Sequence, residues 1–203
     1  MRIGIDFDNT IVSYDALFHK VAREAGLVPE SVAATKLAVR DYLREIGRED
    51  DWTEMQGTVY GGRMGEASAY PDVFTVMRAA RRQGHELFIV SHKTRHPFRG
   101  KPYDLHQAAR SWVESAMRDS EGALIPPEQV FFEVTKEEKL ARAGALGCDC
   151  FIDDLPEILL SPHFPKDISP LLFDPDGIHA DQTSLVRLAS WRSIAAHIGV
   201  EIV

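Results

Sequence analysis

The chain has 203 residues, of which 44% are hydrophobic, and a net charge of −8 at pH 7. This length fits one domain, or one domain with a sizeable insertion. The negative charge argues against a surface that binds the backbone of a nucleic acid polymer, but it permits a small phosphorylated substrate held by a few local cations. No apolar stretch approaches the roughly 20 residues that cross a membrane.

Two features indicate a cytoplasmic protein. The N-terminus begins directly with a strand-like run and shows no signal-peptide pattern. The two cysteines, Cys148 and Cys150, flank a single residue, and no second pair is present to complete a zinc site. We therefore expect reduced cysteines in the core of a cytoplasmic protein. The sequence does not indicate an oligomeric state.

Strand-like and helix-like segments alternate along the chain. Apolar runs predict five strands, at about 2–6, 85–91, 129–134, 150–153 and 170–173. Helical periodicity, capping residues and terminating glycines predict seven helices, at about 14–25, 32–46, 51–64, 72–83, 103–118, 135–147 and 183–198. This alternation predicts an α/β fold, a three-layer αβα sandwich around a mostly parallel, Rossmann-like sheet of about five strands.

Polar residues follow four of the predicted strands. Asp6 and Asp8 end the first strand, Ser91 ends the second, Lys136 follows the third, and Asp153-Asp154 end the fourth. The carboxyl ends of parallel strands meet at one edge, so we expect these residues to converge. Two carboxylates this close need a cation or a shared proton between them, although Asp and Asn also crowd ordinary turns. Acids, a hydroxyl and a lysine together suit phosphate chemistry.

These motifs, in this order, resemble the haloacid dehalogenase-like (HAD) superfamily. The resemblance rests on Asp6-Phe7-Asp8-Asn9-Thr10, Ser91, the later lysine and Asp153-Asp154, and it covers the scaffold from residue 2 to about 175. It implies a catalytic core made of residues 1–11 and 71–203. Residues 12–70 remain unmatched, and the resemblance implies that they form a small helical cap over the active site.

The resemblance also implies a role for each motif. Asp6 is expected to be the nucleophile that forms an aspartyl-phosphate, and Asp8 the acid that protonates the leaving oxygen and then activates water. The expected Mg²⁺ ligands are Asp6, Asp8, Asp153 and Asp154, with Asp154 binding directly. The expected phosphate-binding residues are Asn9, Thr10, Ser91, His92, Lys136 and Lys139.

Two of these assignments have open alternatives. Lys136 and Lys139 both lie in the first turns of one predicted helix, and we favour Lys136 as the catalytic lysine because it directly follows the strand. Lys139 is then an ordinary exposed residue. Thr10 either contacts phosphate or stabilises the turn after the strand.

The substrate is less well defined. Arg63, near the end of the insertion, is one tentative substrate contact, with helix termination by the neighbouring glycines as the alternative. Lys93 and Arg95 are two more, because residues 92–101 form a basic stretch directly after Ser91. The alternative is a solvated loop.

The sequence thus predicts a Mg²⁺-dependent phosphatase that acts on a small phosphorylated metabolite. A nucleoside monophosphate is the leading candidate, because the Ile152-Asp153-Asp154 ending and the small helical cap are similar to those of nucleotidases and polynucleotide-end phosphatases. The alternatives are a phosphomutase of the same superfamily and a non-catalytic phosphate-binding or regulatory protein. We expect no membrane partner and no nucleic acid polymer as partner.

Overall fold

The computed structural model describes residues 1–120 and 122–202. Its chain divides into two compact units. The first contains Met1–Ile11, Ala69–Lys93 and Met117–Val203, and the second contains Val12–Ser68 and Thr94–Ala116. The sequence-based division placed residues 94–116 with the core, whereas in the structure they belong to the second unit.

The first unit is built on a six-stranded parallel sheet. Its strands are β1 (Arg2–Ile5), β2 (Glu86–His92), β3 (Val130–Glu133), β4 (Cys150–Asp153), β5 (Ser169–Phe173) and β6 (Val186–Leu188). They lie in the order β6-β5-β4-β1-β2-β3, and every paired strand is parallel to its neighbour. Helices flank the sheet, which explains why both faces of β1 and β4 are buried. The predicted Rossmann-like α/β fold is confirmed.

The helices of the first unit are α4 (Val73–Arg82), α6 (Lys136–Ala145), α7 (Pro156–Leu159) and α8 (Trp191–His197), and those of the second are α1 (Asp15–Glu24), α2 (Lys36–Glu45), α3 (Glu49–Gly57) and α5 (Leu105–Ala116). Thr135 caps α6 in a reciprocal capping box with Glu138, as the sequence predicted. Short two-stranded sheets pair Val12–Ser13 with Ser68–Ala69 and Arg118–Asp119 with Gly122–Ala123. No helix in the described ranges is long and apolar enough to cross a membrane.

One predicted helix is shorter than expected. The sequence predicted a helix over 183–198, but β6 occupies Val186–Leu188 and α8 begins only at Trp191. Ser190 caps α8 in a box with Ser193, which fixes its start. The spacing of Leu185 and Leu188 imitates a helical face, but pairing with β5 places Leu188 opposite Phe173 in the sheet.

The second unit has an aromatic core. The Phe18 and Trp52 rings stack with centroids 4.8 Å apart, and the Tyr14 and Tyr60 rings meet edge to face at 4.8 Å. The predicted helix over 51–64 is α3 followed by a π-helical turn, Thr58–Gly62.

Residues 94–116 pack against this part of the second unit. A Cβ on Gly61 would lie 2.5 Å from the Tyr103 Cβ, so the glycine permits close approach of the two segments. The Trp112 indole also donates a hydrogen bond to the Ala67 carbonyl at 2.9 Å. These contacts account for the assignment of α5 to the second unit.

Candidate active site

Asp6 lies at the carboxyl end of β1, beside the point where the strand order reverses. Its backbone N–H donates to the Ile152 carbonyl at 2.9 Å, which extends the ladder between β1 and β4 by one residue. The chain then turns through Asn9, whose φ of 57° lies in the left-handed region that Asn tolerates. The side chain of Asp6 is thereby fixed at the sheet edge, with only 4% of the residue exposed.

Two donors from other elements hold one oxygen of Asp6. The hydroxyl of Ser91, the penultimate residue of β2, donates to Asp6 Oδ1 at 2.8 Å. The Lys139 ammonium donates to the same oxygen at 2.6 Å. Asp6 Oδ2 accepts only a long hydrogen bond of 3.5 Å, from the Thr10 hydroxyl, among the described residues. The carboxylate is therefore oriented by Oδ1, and Oδ2 is the less engaged oxygen.

Lys139 joins Asp6 to Asp153. Its ammonium lies 2.6 Å from Asp153 Oδ2, and Asp153 Oδ1 accepts the backbone N–H of Leu155 at 3.0 Å. The same ammonium lies over the Phe151 ring, 5.5 Å from its centroid. One buried cation thus bridges two buried carboxylates from adjacent strands.

The structure places Lys139 at the site and Lys136 outside it, opposite to the sequence-based preference. Lys136 is about half exposed and forms an ion pair with Glu157 at 2.6 Å. Helical side chains lean toward the N-terminus of their helix, so a lysine in the second turn reaches back over the sheet edge. Lys136, at the first helical position, already lies beyond that edge.

The electrostatics follow from this burial. Burial raises the pKa of Asp6 to about 6; the Lys139 ammonium lowers that pKa, and the Asp153 and Asp8 charges raise it. Burial alone lowers the pKa of Lys139, but the Asp153 and Asp6 carboxylates more than compensate, so the net pKa is above its usual value and the ammonium stays charged. Burial, followed by the charges of Lys139 and Lys136, lowers the pKa of the neighbouring His92.

Three carboxylates are close enough to share a cation. One oxygen each from Asp6, Asp153 and Asp154 lie within 4.8 Å of one another. Hard oxygen donors of this kind suit Mg²⁺, and a cation among them would offset both the burial and the neighbouring negative charges that raise the pKa of Asp6. These residues therefore fit a divalent metal.

The Asp8 side chain has a different arrangement. It was predicted as a fourth metal ligand, but it does not belong to this group of carboxylates in the described part of the chain. Its two oxygens instead lie 3.0 and 2.7 Å from the Lys93 ammonium. Lys93 is buried, with 4% of its side chain exposed. Sequence reasoning identified Lys93 only as a tentative substrate contact and missed this pairing.

The other predicted residues are distributed as follows. Thr10 is fully buried: its hydroxyl lies 3.5 Å from Asp6 Oδ2, and its carbonyl accepts the Trp191 indole N–H at 3.1 Å. Arg63 and Arg95 belong to the second unit. Arg63 is ion-paired with Glu24 and Glu66, and Arg95 with Asp104 at 3.2 Å. Both predicted substrate arginines are thus engaged by acids of their own unit.

Solved structures of HAD-superfamily hydrolases share this fold. A HAD family hydrolase from Deinococcus radiodurans R1, with bound phosphate and sodium, matches with a TM-score of 0.58 and 18% identity, covering 98% of this chain and 94% of that one. A HAD phosphatase from Thermococcus onnurineus matches with a TM-score of 0.53 and 14% identity, covering 100% and 99%.

Dehalogenases share the fold as well. The L-2-haloacid dehalogenase RSc1362 matches with a TM-score of 0.57 and 13% identity, covering 98% of each chain. No protein-family profile matches the sequence, and no curated protein matches it significantly. The chain therefore has a HAD-like fold that phosphatases and dehalogenases share, and its chemistry must be argued from its own residues.

Proposed function

We propose that the protein is a Mg²⁺-dependent phosphatase that hydrolyses a small phosphorylated metabolite through an aspartyl-phosphate on Asp6. The observation that carries this proposal is the placement of Asp6 between the Ser91 hydroxyl, at 2.8 Å, and the Lys139 ammonium, at 2.6 Å. A nucleophilic carboxylate flanked by a hydroxyl donor and a fixed cation is suited to a phosphoryl group, whose oxygens need such donors.

The first step transfers the phosphoryl group to Asp6. A carboxylate oxygen of Asp6 attacks phosphorus, the bond between phosphorus and the leaving oxygen breaks, and Asp8 gives its proton to that oxygen. Ser91 and Lys139 orient the nucleophile through Oδ1, which leaves Oδ2 for bond formation. Mg²⁺ held by Asp6, Asp153 and Asp154 would neutralise negative charge on the phosphoryl oxygens.

The second step regenerates the enzyme. Water attacks the phosphorus of the aspartyl-phosphate, Asp8 takes a proton from that water, and the bond between phosphorus and the Asp6 oxygen breaks. Inorganic phosphate leaves and Asp6 is restored as a carboxylate. Asp8 therefore begins the cycle as an acid and ends it as an acid, so the protons balance.

The second aspartate supports a phosphatase over a dehalogenase. An alkoxide leaving group needs a proton as its bond to phosphorus breaks, whereas a halide ion leaves without one. Asp8 supplies a group for this purpose two residues from the nucleophile. A nucleoside monophosphate is the first substrate class to test, because the Ile152-Asp153-Asp154 ending resembles that of nucleotidases.

Phosphate release from an aryl phosphate and a metabolite panel tests the proposal. With Mg²⁺, the wild type is expected to hydrolyse at least one ester and Asp6→Asn none, while Asp176→Asn, which removes an exposed acid elsewhere, stays within about twofold. Turnover by Asp6→Asn, or halide release from 2-haloacids without phosphate release, would contradict it. A preference for nucleoside monophosphates within the panel is the result expected of a nucleotidase.

Trapping the intermediate gives a second test. Asp8→Asn is expected to accumulate a covalent phosphoenzyme with an aryl phosphate, since an aryl oxide leaves readily but water is no longer activated. Hydroxylamine should cleave this adduct, as it does acyl phosphates in general, and Asp6→Asn should form none. Transfer of the phosphoryl group to a second hydroxyl of the substrate would indicate a phosphomutase instead.

A further inference from the structure

Lys93 is a buried cation whose position is fixed by the sheet. Its backbone N–H donates to the Glu133 carbonyl at 2.8 Å, which extends the pairing of β2 with β3 by one residue. The side chain is 4% exposed, and its ammonium contacts both oxygens of Asp8, at 2.7 and 3.0 Å. Lysine is seldom buried this deeply unless an acid pairs with it.

The acids at this sheet edge are divided between two lysines. Lys139 contacts Asp6 and Asp153, and Lys93 contacts Asp8. Within residues 1–120 and 122–202, Asp154 belongs to the group of carboxylates that lie within 4.8 Å of one another, and Asp8 does not. A divalent cation attracts any nearby carboxylate, and Asp8 starts only two residues from Asp6. The Lys93 ammonium, 2.7 and 3.0 Å from the two Asp8 oxygens, holds this side chain in its separate position.

We propose that Lys93 is a positioning residue that keeps the Asp8 carboxylate out of the cation-binding group of Asp6, Asp153 and Asp154. The ion pair fixes the direction of the Asp8 side chain through both of its oxygens. Asp8 is thereby reserved for proton transfer, a consequence that rests on the phosphatase function proposed above. The separation of the carboxylates itself does not depend on that function.

Mg²⁺ binding in a double-mutant cycle tests the separation without any turnover. Isothermal titration calorimetry compares the wild type, Lys93→Met, Asp8→Asn and the double variant. Lys93→Met is expected to bind Mg²⁺ roughly three- to thirtyfold more tightly, because the released carboxylate joins the cation. The same substitution in the Asp8→Asn background should change the affinity by less than about twofold.

Two further variants serve as controls. Lys93→Arg, which keeps the charge and can still bond the carboxylate, should retain the wild-type affinity. Lys136→Met, which removes an exposed lysine from its pair with Glu157, should stay within about twofold. If Lys93→Met does not fold, Lys93→Gln takes its place in the cycle. If Lys93→Met tightened Mg²⁺ binding equally in the wild-type and the Asp8→Asn backgrounds, long-range repulsion between Lys93 and the ion alone would explain the change, and the proposal would be overturned. Unchanged Mg²⁺ affinity in Lys93→Met would also overturn it.

Leaving-group dependence tests the consequence for proton transfer. In the first turnover, Lys93→Met should slow alcohol release from an alkyl phosphate at least about tenfold, and slow phenol release from an activated aryl phosphate much less. Equal slowing of both would overturn a role through Asp8. A wild type without phosphatase activity would refute the proposed function, whereas the metal-binding cycle would still decide the positioning role.

Discussion

Lys139 and Asp6 form a buried ion pair, with 2.6 Å between Nζ and Oδ1, although 133 residues separate them in the chain. The contact requires α6 to pack against the sheet, so the charge balance around Asp6 depends on a helix that lies far from it in the sequence. Asp153 shares the same ammonium at 2.6 Å. The site is therefore complete only when α6 is packed against the sheet.

Lys139→Met is expected to destabilise the protein and abolish phosphate release. The substitution leaves two buried carboxylates without their cation, which costs about 3–5 kcal/mol when one partner of a buried pair is removed. Urea denaturation and the phosphatase assay measure both effects. Lys136→Met is the matched control and should change stability by less than about 0.5 kcal/mol. Equal behaviour of the two variants would refute the assignment of Lys139.

Asp6→Asn is expected to be more stable than the wild type when both are free of metal at pH 7.5. The pKa of Asp6 is raised from 3.8 to about 6, so its stabilising contribution is present below about pH 4 and is lost as the pH rises through 6. The charged form then costs up to about 3 kcal/mol. Lys139 keeps Asp153 as a partner in the variant, so no cation is left unpaired.

The pH dependence of this difference is the check. Chemical denaturation in EDTA should give Asp6→Asn an advantage of about 1–3 kcal/mol at pH 7.5 that shrinks toward zero at pH 4. The same variant should lack phosphatase activity, which would show that the nucleophile is retained at a cost in stability. A destabilised Asp6→Asn protein at pH 7.5 would contradict the charge balance described above.

Mg²⁺ should stabilise the wild type through the three carboxylates that lie together. Thermal denaturation with and without 10 mM Mg²⁺, on the order of what a weak site requires, should show a higher melting temperature with the ion. Asp154→Asn should weaken Mg²⁺ binding about tenfold or more. Asp176→Asn removes the same charge from an exposed loop and should leave the affinity within about twofold. Similar losses in both variants would indicate non-specific screening.

The two cysteines should be unreactive in the folded protein. Burial raises the pKa of Cys148 to about 11 and that of Cys150 to about 12, so the reactive thiolate is scarce at pH 8. Mass spectrometry after iodoacetamide treatment should show no adduct under native conditions and two adducts in denaturant. Labelling of either thiol in the folded protein at pH 8 would contradict this placement.

Gly61→Ala should destabilise the second unit. A Cβ there would lie 2.5 Å from the Tyr103 Cβ, too close for any side-chain rotation to relieve, so we expect a loss of about 1–3 kcal/mol. Gly65→Ala is the control, because a Cβ at Gly65 meets nothing within 4 Å and its φ is not in the left-handed region. Equal stability of the two variants in urea would contradict the close packing of Tyr103.

Much of the fold could be predicted from local patterns. Apolar runs located the strands that became β1 to β5, and the Thr135 and Glu138 pair located the start of α6. The three-residue strand β6 was missed because it is defined by its pairing with β5, and because Leu185, just before the strand, and Leu188 have helical spacing. The sequence did not predict that residues 94–116 belong to the second unit, because this depends on contacts such as that of Tyr103 with Gly61.

The sequence by itself determined that Asp6, Ser91 and Asp153 would meet, because residues at the carboxyl ends of neighbouring parallel strands share one edge. Only the tertiary structure decided between Lys136 and Lys139, because both lie near the start of α6. Which of the two ammonium groups reaches Asp6 depends on how that helix lies against the sheet. The tertiary structure alone also paired Lys93 with Asp8. The strand pattern of a sequence determines which residues lie at the carboxyl edge of the sheet. The partner of a long charged side chain is instead set by three-dimensional distance and burial.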